Sequence, residues 1–249
     1  RVSSVAFSPD SKLFVSGSED KKGRLYDISS AGRLDPLKKW PLQCTLDDAT
    51  GGVLSVAFSP DSRLLASGSE DSKVRVYGLE GQTAPGLQHT FGDDTMGRVF
   101  SVVFSADSKL LACGSQDSKV RVYGLGAGAA PRLQYTLEDA AGSVSSVAFS
   151  ADSKLLASGS LDKTLRVYAL GGGVGPTLKH TLKIPAEIED VAFSADSELL
   201  ACASLDSKVR VYGLEGQATP MLKYTLDATD WVFSVSFSPD TKLLASGSS

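Results

Sequence analysis

The chain has 249 residues, 42% of them hydrophobic, with 25 Lys and Arg against 29 Asp and Glu and a formal net charge of −4. Acidic residues outnumber basic ones, so the concentration of cations that phosphate binding requires is missing and nucleic acid is excluded as an expected partner. No apolar run approaches the roughly 20 residues of a membrane-spanning helix, and no basic-then-apolar leader opens the chain, so no membrane insertion is expected.

From the first residues onward one block recurs. It opens at Val2, Val53, Val99, Val144 and Ile188, and a sixth copy opens at Val232 and runs to Ser249. A period in the 40s, with each unit rich in short alternating strands, is the signature of a β-propeller or related repeat array. The whole chain therefore reads as one all-β domain. Its five complete blades span 2–52, 53–98, 99–143, 144–187 and 188–231, and a partial sixth spans 232–249.

The copy from Val53 shows how each unit is built. Residues 53–58 form an apolar run with Ser and Ala interleaved, strand a, and Ser59-Pro60-Asp61-Ser62 supplies a turn in which Pro fixes φ. Residues 64–69 are strand b, closed by Glu70-Asp71-Ser72, where the Asp side chain can accept from turn donors. Residues 74–77 alternate with period two as strand c, a loop containing Pro85 covers 78–86, strand d covers 87–91, and an acidic loop 92–98 leads to the next copy. Four antiparallel strands make one blade. Small residues on strands a and b (Ser55, Ala57, Ala66, Gly68) suit a crowded axis, and the larger ones on strands c and d suit the rim.

Three cysteines, Cys44, Cys113 and Cys202, form no CxxC pair and leave an odd count, which argues against disulfides and zinc. Cys113 and Cys202 occupy the position held by Ser67 and Ser158, so a small buried residue is the expected requirement. An intracellular location, cytoplasmic or nuclear, is expected. The chain opens with Arg and stops two strands into a repeat, and is read as a piece of something longer. Such a piece should form an arc of five and a half blades, or a strained ring, with sticky ends.

The pattern V-x-x-V-x-F-S-P-D, then L-L-A-S-G-S-x-D, then K-V-R-V-Y-G-L resembles the WD-repeat family over the whole chain. The resemblance implies a propeller, usually of seven blades, that serves as a scaffold for protein complexes. Two departures are consistent. The name-giving Trp-Asp is replaced by Tyr77-Gly78, Tyr123-Gly124, Tyr168-Ala169 and Tyr212-Gly213, with Tyr26-Asp27 the nearest match, and no copy carries the Gly-His. The family's stabilising network can therefore persist only in part, through the turn residues Asp20, Asp71, Asp117, Asp162 and Asp206 and neighbouring strand-b serines.

Catalytic chemistry is not assembled by the sequence. Both histidines, His89 and His180, sit at a strand-d position held elsewhere by Cys44, Tyr135 and Tyr224, which reads as peripheral packing. The a-b turn aspartates belong to different blades, and Gly171-Gly172-Gly173 lacks the Lys and helix of a phosphate loop. No catalytic residue, cofactor or metal is expected. Arg24, Arg75, Arg121, Arg166 and Arg210 recur at one strand-c position. Their stems are expected to pack between blades, with the guanidinium reaching solvent or a neighbouring carboxylate.

A site for one partner should appear where copies differ. By the family resemblance the d-a and b-c loops share the narrower face. The residue before the b-c Asp changes from Glu19, Glu70 and Gln116 to Leu161 and Leu205, and entry to strand a adds Met96, Arg98 and Phe100, then Glu189 and Asp190, then Trp231 with Phe233. Aromatic, Met and Arg residues are enriched at interface hot spots. Leu161, Leu205, Met96, Arg98, Phe100, Glu189, Trp231 and Phe233 are the expected partner-binding set, although Phe100 and Phe233 share the alternation phase of a buried Val-x-Phe pair and equally fit packing between blades. The expected function is a non-enzymatic scaffold for protein or peptide partners. The alternatives are a sensor or regulatory propeller of a larger protein and, from the enzyme class, a propeller hydrolase or lyase with an axial site.

Overall fold

Each of the first five repeats folds as a four-stranded antiparallel meander whose strands follow chain order. In a computed structural model describing residues 1–29, 40–79, 85–126, 129–171, 175–214 and 219–249, no helix occurs among the described residues. The first sheet holds β1 (Val2–Phe7), β2 (Leu13–Ser18), β3 (Gly23–Asp27) and β4 (Leu42–Leu46). The second holds β5 (Val53–Phe58), β6 (Leu64–Ser69), β7 (Val74–Gly78) and β8 (Gly86–Phe91). The third runs from β9 (Val99–Phe104) through β10 (Leu110–Ser115) and β11 (Val120–Gly124) to β12 (Arg132–Leu137). The fourth is β13 (Val144–Phe149), β14 (Leu155–Ser160), β15 (Thr164–Ala169) and β16 (Thr177–Lys183). The fifth is β17 (Ile188–Phe193), β18 (Leu199–Ser204), β19 (Lys208–Gly213) and β20 (Met221–Asp227), and the sixth has only β21 (Val232–Phe237) and β22 (Leu244–Ser248). Residues 80–84 of the loop before β8, with Gly172 and Gly173, lie outside the described residues.

The core lies between blades. Val15, Leu25 and Leu46 of the first blade pack against Val53, Val56, Phe58, Leu65 and Tyr77 of the second, and the same arrangement recurs along the array. Close approach requires glycine on strand b, because a Cβ on Gly68 would stand 2.7 Å from Val99 Cγ1 of the next blade. Burying apolar surface on both sides makes stability a property of neighbouring blades together.

Two ladders of hydrogen bonds join the blades. Near the axis, Ser4 Oγ accepts from the Val56 N–H (3.1 Å), Ser55 from Val102 (3.0 Å), Ser101 from Val147 (3.2 Å) and Ser146 from Val191 (3.2 Å). At the opposite end of the blades the a-b turns connect, with the Asp10 N–H donating to Ser62 Oγ, Asp61 to Ser108 and Asp107 to Ser153, each at 3.2 Å. The accepting serines sit at positive φ, 58–59°, a conformation that turns the hydroxyl toward the preceding blade.

Every a-b pair also carries a register shift at its start, as between Val53 and Ser55 or Ile188 and Asp190. Such a bulge breaks the two-residue alternation and re-aims a side chain. The residues it re-aims are Ser3, Leu54, Phe100, Ser145, Glu189 and Phe233, one per blade, and together they line an axial channel of about 420 Å³.

The array is open. Val2, Val5 and Phe7 of β1 are 55–58% exposed, although their counterparts Val53, Val56 and Phe58 are buried by the preceding blade.

Candidate interaction surface

Each b-c turn is fastened by an aspartate that takes a guanidinium from strand c. Asp71 receives Arg75 through both oxygens, at 2.7 and 3.2 Å, and also takes the Lys73 N–H and the Thr50 N–H from the d-a loop. Arg121 with Asp117, Arg166 with Asp162, and Arg210 with Asp206 repeat the arrangement at 2.5–2.6 Å. Both members of the Arg75–Asp71 pair are buried, whereas Arg24 and Asp20 on the uncovered first blade are about one-third and one-half exposed. Of the two destinations the sequence left open for the recurring arginine, the structure takes the carboxylate. Ser69 and Ser115 add hydroxyl contacts to the same aspartates, so each of these turns is held by an Arg–Asp–Ser unit.

Charge state follows from this geometry. Burial opposes ionisation of Asp71, but Arg75, Ser69 and the Thr50 N–H outweigh it and hold the carboxyl below the usual range. At Asp162 burial is likewise overcome, by Arg166 and the Ala141 N–H, and the value falls to about 2. Burial pushes the Cys113 and Cys202 thiols up to about 12, and both cysteines pack as small core residues at the position of Ser67 and Ser158.

The fixed b-c turns meet the d-a loops on one face. The N–H of the residue before each b-c Asp donates to the carbonyl of the residue just before strand a of the same blade: Glu70 to Gly52, Gln116 to Arg98, Leu161 to Ser143 and Leu205 to Glu187, all at 2.9–3.0 Å. Ser249 makes the same bond to Trp231 at 3.3 Å. On the first three blades this rim is polar, with Arg1 3.5 Å from Glu19 and Arg98 3.6 Å from Glu70. On blades four to six it carries Leu161, half-buried Leu205 and Trp231, with Leu161 39% and Trp231 53% exposed.

Three expected site residues stand differently. Met96 is a correction: at 1% exposure it belongs to the core between blades two and three, because its loop turns inward through bonds from the Met96 N–H to Asp93 and from the Asp117 N–H to Met96. Phe100 and Phe233 neither pack between blades nor sit on the rim, since the bulge turns them into the channel wall with Glu189. Burial, with Glu187 and Asp190 nearby, raises the Glu189 carboxyl above its usual range.

Asp190, variable at the entry to strand a but outside the expected partner-binding set, has a structural role. It replaces the serine of the axial ladder, accepts the Val235 N–H at 2.9 Å and the Ser146 hydroxyl at 2.7 Å, and is raised by burial against those bonds. Its signal was present, because Asp190 is the copy that departs from Ser at that position. His89 lines a separate cleft of about 570 Å³ between blades two and three, with Arg63, Leu87, Ser108 and Pro131. No three metal-ligating side chains gather among the described residues, and no helix is long and apolar enough to cross a membrane.

Comparison with known proteins decides the family. The model of the first β-propeller of IFT122 matches residues 1–249. This chain belongs to that family. The WD-repeat resemblance holds alongside it: protein hir1 of Schizosaccharomyces pombe is 33% identical over 96 residues, 36% of this chain and 10% of hir1. The human serine-threonine kinase receptor-associated protein is 35% identical over 78 residues, 30% of this chain and 19% of that protein. The matched stretches thus span a tenth to a fifth of these relatives. A chain in the crystal structure of a mitotic checkpoint complex superposes with a TM-score of 0.83 over 99% of this chain and 74% of its own length. At 18% identity that likeness shows the propeller fold.

Proposed function

We propose that this propeller is a non-enzymatic platform that binds a protein or peptide partner on the face where the b-c and d-a loops meet. Binding centres on the apolar sector of Leu161, Leu205 and Trp231, with Phe233 and Glu189 at the channel beside it. The observation that carries this reading is the change of rim chemistry between blades three and four, from Glu19, Glu70 and Gln116 to exposed Leu161 and Trp231 on turns fixed by the same hydrogen bonds. Large apolar groups held on rigid turns at a surface mark an interaction site, because their desolvation on binding is favourable and little ordering entropy is lost. The partner is a segment with an apolar anchor for this sector. The platform acts inside the cell, in cytoplasm or nucleus, where reducing conditions suit three unpaired cysteines.

The test is affinity capture from a native extract with wild-type chain, Trp231→Ala and Lys179→Ala, followed by titration of the recovered partner. Loss of binding with Trp231→Ala and retention with Lys179→Ala supports the reading. Equal binding by all three contradicts it.

A further inference from the structure

One position on strand d meets the c-d loop of the following blade, and its side chain differs between copies. In the third blade it is Tyr135, paired with Val122, and in the second it is His89, paired with Val76. Tyr135 fills its junction. A Cβ built on Gly175, in the c-d loop of the fourth blade, would stand 2.8 Å from Tyr135 Cε1 and 3.1 Å from Cδ1, so the phenol ring lies directly against that glycine. At the junction before it an imidazole stands in place of the phenol, and Ala130 aligns with Gly175. There a cleft of about 570 Å³ opens between His89 on one wall and Ala129 and Pro131 on the other. Buried Val76 and half-buried Leu125 make its middle apolar. Toward the axis it is polar, where Ser108 Oγ accepts the Asp61 N–H at 3.2 Å and keeps its own proton to donate. The mouth lies beside Leu87, 43% exposed on β8, the outermost strand of the second blade.

We propose that this cleft binds a tyrosine side chain presented by a peptide segment of a partner, in the place that Tyr135 fills from within at the next junction. The ring packs between His89 and Pro131 over Val76 and Leu125. At the polar end Ser108 donates to the phenol oxygen. One Asp61 oxygen already takes the Ser59 hydroxyl at 2.6 Å and the Arg63 N–H at 3.1 Å, and the other accepts the phenol proton. An apolar body with a polar tip is what tyrosine offers, and the cleft is apolar along its length and polar at its inner end. A tethered side chain suits a mouth that opens at a strand edge, because the main chain carrying the ring stays in solvent. The volume falls in the range of small ligand sites. The a-b turns and c-d loops that frame the cleft lie at the opposite end of the blades from the Leu161–Trp231 rim, so this site is independent of the one proposed above.

The experiment titrates the full chain with acetyl-tyrosinamide, followed by ligand-observed NMR, with acetyl-leucinamide as the aliphatic probe. Wild type should bind the tyrosine probe saturably and the leucine probe about tenfold more weakly or less. His89→Tyr supplies the ring from within, as Tyr135 does, and should weaken binding of the tyrosine probe by about tenfold or more. Tyrosine is already accommodated at this position by Tyr135 and Tyr224, so the variant should fold, checked by circular dichroism. Should it fail to fold, Ala129→Leu narrows the cleft from its exposed wall and replaces it under the same criterion. Trp231→Ala at the other end of the blades should leave the affinity unchanged. The inference is overturned if wild type shows no saturable binding, if the two probes bind equally, if the folded cleft variant binds as wild type does, or if Trp231→Ala abolishes binding.

Discussion

The Asp190 carboxylate accepts the Val235 N–H at 2.9 Å with one oxygen and the Ser146 hydroxyl with the other, so one side chain ties blades four, five and six together near the axis. Removing it in Asp190→Ala strands a backbone donor and a hydroxyl, at a cost of about 1–3 kcal/mol. Asp190→Ser restores the residue that performs this role at the other junctions and should recover most of the loss. Urea unfolding of both variants checks the claim, and equal stability of the two would show that the ladder contributes nothing.

The Arg75–Asp71 pair is expected to be worth more broken than its net contribution when intact. Asp71→Ala leaves a guanidinium buried without its carboxylate, a change that costs about 3–5 kcal/mol. The corresponding Asp20→Ala on the open first blade should cost distinctly less, since water replaces the lost partner there. Thermal unfolding of the two variants separates these outcomes. Similar losses would mean that burial of the turn does not set its contribution.

Acid should destabilise the fold through the same aspartates. Asp162 falls from an ordinary value of 3.8 to about 2 in the folded chain, so its contribution is complete above about pH 4 and is lost as pH drops toward 2. Asp162→Asn should flatten the dependence of melting temperature on pH across that window. Glu189 and Asp190, both raised, act with the opposite sign: their contribution is present at low pH and lost as pH rises through their folded values. An unchanged slope in Asp162→Asn would place the acid sensitivity elsewhere.

Met96→Ala should reduce stability by about 2–5 kcal/mol, the cost of a cavity between blades two and three, while leaving partner affinity unchanged. Denaturation and binding measured on the same preparation test this. A loss of affinity without a loss of stability would return Met96 to the surface role first expected of it.

Blade architecture was legible because turns and periodicity repeat: Pro60-Asp61 and Glu70-Asp71 delimit strands that the structure places within a residue or so. The meeting of d-a and b-c loops also held. The alternation phase that fits Phe100 and Phe233 to packing between blades does not show where they point, because a bulge depends on pairing register, which alternation along one strand does not contain. The arginine's partner was left open because Arg75 and Asp71 lie on either side of a turn whose curvature brings them together. Met96 was misplaced because its burial follows from loop bonds to Asp93 and Asp117, long-range features with no periodic trace.

The platform reading rests most directly on Trp231. Titration calorimetry of a recovered partner against Trp231→Ala, with Leu161→Asp alongside and Pro131→Ala in the cleft between blades two and three as the control, is the decisive measurement. The account expects a loss of about 2 kcal/mol or more for Trp231→Ala, a comparable loss for Leu161→Asp, and no change for Pro131→Ala. Binding that survives both rim substitutions and fails with Pro131→Ala would contradict it and move the site to the cleft.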